Sequence, residues 1–333
     1  MAMGRADIPV YADIEAAAAR IAPWAVRTPA IENQELNARV GGRVLLKLET
    51  LQRTGSFKFR GACNRILQIP DAARAKGVVA FSSGNHAQGV AAAALLFGIP
   101  ATIVMPADAP AAKIAGTRAF GAEIVFYDRV RDDREALAAE ICAARGATLV
   151  KPFDDPAIVA GQGTAGLELA RQARDAGVAL DHVLAPCSGG GLSSGIALAF
   201  ARESAQTRVW AVEPEGFDGM RRSLAAGQRV AAPGGSPSLA DALMAPMPGA
   251  VPFAAARGRL AGGLSVNDEE LARAVSYAVR RLKVVVEPGG AAALAALLAG
   301  QVTPEGGAIG IVLSGGNCDP ETLATCCARY PTP

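Results

Sequence analysis

Four short segments carry residue types that could do chemistry. In Ser56-Phe57-Lys58-Phe59-Arg60-Gly61 a lysine stands between two phenylalanines. Partial desolvation there disfavours the ammonium form and frees the amine as nucleophile or base. By itself this segment also fits a lysine that snorkels at the start of a helix. Ser82-Ser83-Gly84-Asn85-His86-Ala87-Gln88-Gly89 offers two hydroxyls, an amide and an imidazole ahead of a helix. Such a helix start suits a carboxylate or another anion, and an ordinary Ser/Asn N-cap accounts for only one or two of these residues. Pro186-Cys187-Ser188-Gly189-Gly190-Gly191-Leu192 holds three consecutive glycines. They let the backbone approach a phosphate, whose charge the following helix favours. The spacing is neither that of a P-loop nor that of a dinucleotide fold, so the phosphate belongs to a small cofactor. Leu313-Ser314-Gly315-Gly316-Asn317 places a hydroxyl where it could meet a ring nitrogen, or simply satisfy its own turn.

All four read as loops at the carboxyl ends of strands, where open α/β sheets take their ligands. The elements that must position them alternate. From Gly77, β-rich runs at Val78 to Phe81, Ala101 to Met105, Glu123 to Tyr127 and Thr148 to Lys151 interleave with helical stretches at Ala87 to Phe97, Ala111 to Phe120 and Asp133 to Arg145. That is the pattern of parallel βαβ units. Gly98, Gly121 and Gly146 stand where a left-handed residue would end each helix. After Pro152 come a helix at Gly166 to Ala176, a run at His182 to Ala185, a helix at Leu192 to Arg202 and a run at Arg208 to Val212. Asn267 then reads as the N-cap of a helix at Asp268 to Leu282, followed by a helix at Ala291 to Leu298 and a run at Ala308 to Leu313. Residues 214 to 263, rich in Pro and Gly, read as a long surface excursion or lid; Phe217, Met220, Asp241 and Met244 within it are the place to expect side-chain selectivity. The expected fold class is α/β, two doubly wound domains with the ligand in the cleft between them. Residues 1–76 and 153–333 form the larger and residues 77–152 the smaller.

Composition removes other classes. Lys+Arg 33 against Asp+Glu 31 leaves a charge of +2, and 5% of residues are aromatic, which denies nucleic acid both a basic footprint and a stacking surface. The hydrophobic share of 51% comes largely from alanine, with no charge-free apolar run of about 18 residues to span a membrane. Met1 to Ile14 carries Arg5, Asp7 and Asp13 and has no apolar stretch behind a basic start, so no secretory signal is expected and a cytoplasmic location is. Cys63, Cys142, Cys187, Cys318, Cys326 and Cys327 show no C-x-x-C spacing, and the only histidines are His86 and His182. The cysteines read as reduced thiols rather than a zinc site or a disulfide frame.

Taken in order, the lysine, the carboxylate loop, the glycine loop and the strand-end serine resemble the pyridoxal-phosphate enzymes of fold type II, the tryptophan synthase β-like fold. Within it the wording is similar to the threonine/serine dehydratase and serine racemase branch. The resemblance runs over nearly the whole chain and takes in Lys47-Leu48-Glu49, Gly161-Gln162-Gly163-Thr164 and Val286-Glu287-Pro288-Gly289-Gly290-Ala291. It implies that Lys58 holds pyridoxal 5′-phosphate as a Schiff base and then serves as the base at Cα. It further implies that Asn85 meets the 3′ oxygen of the ring, that Ser188, Gly189, Gly190, Gly191 and Leu192 cradle the phosphate, and that Ser314 meets the pyridine nitrogen. Ser82, Ser83, Asn85 and His86 would clasp the substrate carboxylate, with Ser83 on the ring face opposite Lys58. Arg134 stands where relatives keep a substrate-recognising arginine.

The activity so implied is elimination of water from L-threonine or L-serine, giving a 2-oxo acid and ammonia, by a homodimer acting on a small amino acid. Serine racemisation and specialised dehydration of 3-hydroxyaspartate or 3-phenylserine are the alternatives. Glu213 to Gly219 lies where relatives bind Mg²⁺ or Ca²⁺, but Asp218 follows Glu213 by five residues instead of six and position 219 is glycine. A divalent cation held by Glu213 and Asp218 and a plain solvated acidic loop both stay open. The chain ends soon after the Ser314 segment, as in short forms without a C-terminal regulatory domain, so feedback by isoleucine is not expected.

Overall fold

The structure, a computed structural model, describes residues 8–109 and 111–332; the parts of the leader and domain readings that fall on residues 1–7 lie outside them. Among the described residues ten strands form two sheets. The smaller sheet contains β3 (Val78–Phe81), β4 (Ala101–Pro106), β5 (Glu123–Tyr127) and β6 (Thr148–Leu149), ordered β5-β4-β3-β6 and parallel throughout. The larger has β1 (Ala30–Ile31), β2 (Val44–Leu48), β7 (Leu180–Pro186), β8 (Arg208–Pro214), β9 (Leu260–Val266) and β10 (Ala308–Leu313), ordered β1-β2-β10-β7-β8-β9. Of these strands only β1 runs antiparallel to its neighbour.

Both sheets are covered on two faces, and the strand period of two says why. In β3, Val78 and Ala80 enter one core with Ile103 and Met105, while Val79 and Phe81 enter another with Val104 and Tyr127. In β10, Ile309, Ile311 and Leu313 pack on one side, Ala308 and Val312 on the other. Gly98, Gly121 and Gly146 have φ of 64°, 75° and 66°, as the helix-ending reading requires. Asn267 caps helix Asp268–Tyr277 through a capping box with Glu270.

Three elements differ from the sequence reading. The helix expected from Gly166 begins at Pro156 and runs to Asp175. Its early glycines are points of close approach, not breaks: a methyl group at Gly161 would meet the Gly61 backbone and one at Gly163 the Gly195 backbone. Strand β2, every residue buried, is disguised by Lys47, whose ammonium is fully buried and donates to Thr28 O at 2.7 Å, Glu168 Oε2 at 2.7 Å and Gln172 Oε1 at 3.0 Å. The Pro/Gly-rich excursion folds into helices Gly219–Ala226 and Ala250–Ala256 and returns as β9.

Helix Lys58–Leu67, counted by sequence with the larger unit, sends Phe59, Ala62, Cys63 and Ile66 into the core of the smaller sheet. On its other side Arg60, fully buried, bonds Glu49 (2.7 and 2.8 Å) and Glu168 (2.8 and 2.8 Å) in forked pairs, with Thr164 at 3.2 Å. The helix carrying Lys58 is thus fastened to both halves of the molecule.

Candidate active site

A cleft of about 270 Å³ opens between the two sheets. Among its lining residues are Lys58, Ser82, Ser83, Asn85, His86, Arg134, Ser188, Gly189, Gly190, Gly191, Leu192 and Ser314. The structure therefore brings together all the predicted site residues except Glu213 and Asp218.

Lys58 opens its helix at the base of the cleft. Its Nζ donates to Pro152 O at 2.8 Å and lies 5.2 Å from the centre of the Phe57 ring. Burial pulls the lysine pKa down to about 8, against the attraction of Glu287. Of the two flanking phenylalanines only Phe57 takes part; Phe59 is 1% exposed and belongs to the core.

The glycine loop runs from β7 into helix Gly191–Glu203, with Gly190 at φ 94° as its N-cap. A side chain at Gly189 would overlap the Phe153 ring and one at Gly190 the Met220 terminal methyl. Only bare backbone fits here, with the N–H groups of a first helical turn that have no partner inside the helix. This cradle fits a phosphate. The excursion braces it: Gly249 N donates to Gly189 O at 3.0 Å and Ala245 N to Ser188 Oγ at 3.2 Å. Asp241 and Met244 line the cleft, whereas Met220 lies buried behind the cradle and Phe217 does not reach the cleft.

The loop after β3 places Ser82, whose Oγ accepts from Gly84 N at 3.1 Å, and then Asn85 and His86 at the start of helix Asn85–Leu96. His86 turns Nε2–H to Val150 O at 2.9 Å, and its buried Nδ1 has no partner among the described residues. Burial, reinforced by the charge of Lys58, drives its pKa to about 3. The imidazole is neutral, and its one N–H is taken up by the Val150 carbonyl. Asn85 donates to Glu287 Oε1 at 2.5 Å. Glu287, quoted in the sequence only as part of a motif, is the main site residue that sequence reasoning missed. Burial pushes its carboxyl up to about 7, against the hydrogen bond from Asn85.

Besides Lys58, three cations line the cleft among the described residues. Lys113 pairs with Asp241 at 2.5 Å and Arg129 with Asp108 at 2.7 Å. Arg134, at the first position of helix Arg134–Arg145, lies 5.5 Å from the centre of the Phe81 ring and has no carboxylate partner among the described residues.

Glu213 and Asp218 lie outside the cleft. Glu213 is buried and accepts from Met220 N and Arg221 N, both at 2.8 Å; burial pushes its carboxyl up to about 8. Asp218 is held by Arg221 Nε at 2.9 Å and Arg222 Nε at 2.7 Å. Two guanidinium groups occupy the place of a cation, and these carboxylates do not fit a divalent metal.

Comparison with known proteins agrees with this geometry. The family model described as pyridoxal-phosphate dependent enzyme matches residues 21–315. An L-threo-3-hydroxyaspartate ammonia-lyase from Pseudomonas sp is 43% identical over 95% of this chain and 97% of its own. The crystal structure of a threonine deaminase from T.th. is 45% identical, with a TM-score of 0.87 over 93% of this chain and 99% of its own. Maize serine racemase is 38% identical, with a TM-score of 0.89 over 97% and 98%. No helix among the described residues is long and apolar enough to cross a membrane.

Proposed function

The chain belongs to the pyridoxal-phosphate-dependent enzymes, and on that premise we propose that it removes water from a β-hydroxy amino acid and releases a 2-oxo acid and ammonia. The observation that carries this reading is Lys58, an amine that burial makes easier to deprotonate, in the same cleft as the glycine cradle. Relatives over almost the full length bear ammonia-lyase, deaminase and racemase names. We read the chain as two domains, residues 1–76 with 153–333 and residues 77–152, in a cytoplasmic homodimer.

Pyridoxal phosphate, when bound, supplies the electron sink that acidifies the Cα–H bond of an amino acid. The remaining work falls to side chains and backbone. Ser188 to Leu192 hold the phosphate through N–H groups. Asn85 takes the 3′ oxygen of the ring, and Ser314 gives its nitrogen a neutral hydroxyl. Ser82, Ser83 and the N–H groups opening helix Asn85–Leu96 bind the substrate α-carboxylate. Lys58 would take the Cα proton as general base; the β-hydroxyl would leave as water with a proton supplied inside the cleft, and hydrolysis of the released enamine by water would give the 2-oxo acid and ammonia. Ser83, on the other face, can return a proton to Cα, which gives racemisation as a second outcome.

Arg134 favours one class of substrate. A cation in the cleft with an aromatic floor and no carboxylate partner among the described residues suits a substrate that brings its own second carboxylate, as L-threo-3-hydroxyaspartate does. The test compares 2-oxo acid release from L-threo-3-hydroxyaspartate, L-threonine and L-serine. Hydroxyaspartate should show the highest kcat/KM, and Arg134→Leu should cut it by roughly 10–100-fold, the worth of a charge-assisted hydrogen bond, with little change for threonine. Equal losses on both substrates would return the site to a threonine/serine dehydratase.

A further inference from the structure

Asn317 has no role in the account so far, yet its amide joins the segments that converge on the cofactor site. Its Nδ2 donates to Thr54 O and to Asn85 Oδ1, both at 2.7 Å. Thr54 lies four residues before Lys58 and holds φ at 62°, a left-handed conformation that a β-branched residue rarely adopts. Gly55 follows at φ 71°, and a side chain there would overlap the Asn317 amide oxygen. The loop that delivers Lys58 is therefore both tethered to Asn317 and packed against it. The buried hydroxyls of Thr54 and Ser56 have no partner among the described residues, so they contribute no tether of their own.

The direction of this chain of bonds is fixed from one end. The Thr54 carbonyl can only accept, so Asn317 must turn its NH₂ toward it. Asn85 then presents its oxygen to Asn317, and its own NH₂ faces Glu287 Oε1 at 2.5 Å. One N–H of Asn85 is used there and the second is left for a ligand.

We infer that Asn317 is a positioning residue: it holds the Lys58 loop in its left-handed turn and sets which way round the Asn85 amide sits, so that an N–H and not an oxygen meets the cofactor ring. The second half rests on the pyridoxal-phosphate reading above; the first half does not.

Asn317→Asp replaces the donor by an oxygen at constant volume. In that variant Thr54 loses its tether, and Asn85 must reverse its amide, which brings its oxygen against Glu287. Amide hydrogen exchange in the cofactor-free protein should speed up by about tenfold or more over residues 53–57 and 84–88 together. Pyridoxal phosphate affinity should fall by a similar factor, and kcat should drop more than KM rises. Adding Thr54→Gly should restore protection over residues 53–57, because glycine takes this φ without a tether, and leave residues 84–88 fast. Asn317→Ala, which removes both bonds without adding charge, should repeat the pattern if the aspartate variant folds poorly. Unchanged exchange in both segments with cofactor affinity within about twofold of the parent would overturn the proposal, and so would a loss at 53–57 that Thr54→Gly does not repair. A parent chain that failed to bind pyridoxal phosphate would sink the proposed function, while the exchange comparison would still decide the tether.

Discussion

Two buried groups of charge lie on either side of helix Lys58–Leu67, and they are built on opposite rules. Around Arg60 every charge is answered: Arg60 and Lys47 face Glu49 and Glu168 at 2.7–2.8 Å. Burial works against the charged forms here, and for Glu49 and Arg60 the pairing outweighs it, so that Glu49 stays below its ordinary pKa and Arg60 above its own, whereas for Lys47 burial outweighs its partners and lowers the pKa. Around Lys58 the charges are left unanswered. The amine reaches a carbonyl instead of a carboxylate, Glu287 reaches an amide, and burial pushes both toward their neutral forms, to about 8 and about 7. The first arrangement holds structure. The second holds groups that can exchange protons near neutral pH.

Removing a member of the paired group should therefore be costly for the fold. Arg60→Ala leaves Glu49 without its cationic hydrogen-bond partner and Glu168 with Lys47 alone, and should lose about 3–5 kcal/mol of unfolding free energy, read from urea midpoints. Lys58→Met should leave stability unchanged or raised at pH 7 while 2-oxo acid release falls by about 10³-fold or more. If Lys58→Met destabilised the protein as much as Arg60→Ala, the contrast between the two groups would be lost.

A smaller effect sharpens the contrast on the acidic side. The Glu287 pKa lies above its unfolded value, so the folded state binds the extra proton between about pH 4.5 and pH 7. Stability should thus fall as pH rises through that window. Glu287→Gln should flatten this part of the profile in cofactor-free protein, by on the order of 3 kcal/mol at the high-pH end. Glu213, pushed up by burial as well, should supply the slope that remains. An unaltered slope in Glu287→Gln would mean that its carboxyl ionises normally.

Much of the site was legible because its parts are contiguous. The glycine cradle and the loop from Ser82 to His86 each span a few neighbouring residues, and the segment around Ser314 directly follows an apolar strand. What was hidden came from juxtaposition. Glu287 and Asn317 gain their meaning from Asn85, more than 200 residues away. The partnership of Lys113 and Asp241, from opposite walls, is of the same kind. Phe59 was misplaced for a local reason: it follows Lys58 inside the helix, and successive helical side chains point about 100° apart, which turns it into the core. Strand β2 is hard to read because a lysine interrupts its apolar run, and the start of helix Pro156–Asp175 because glycines weaken a helical pattern. In each of these cases a partner distant in sequence decided the matter: Glu168 for Lys47, Gly61 and Gly195 for the glycines.

The central claim is that Lys58 is kept near neutrality by burial without a carboxylate partner. Cofactor-free protein mixed with pyridoxal phosphate and fixed with borohydride at a series of pH values measures how fast this amine is captured. The account predicts that the rate of labelling at Lys58 rises with a midpoint near pH 8. A midpoint at the ordinary lysine value of about 10.4, or labelling spread over other lysines with Lys58 untouched, would contradict it.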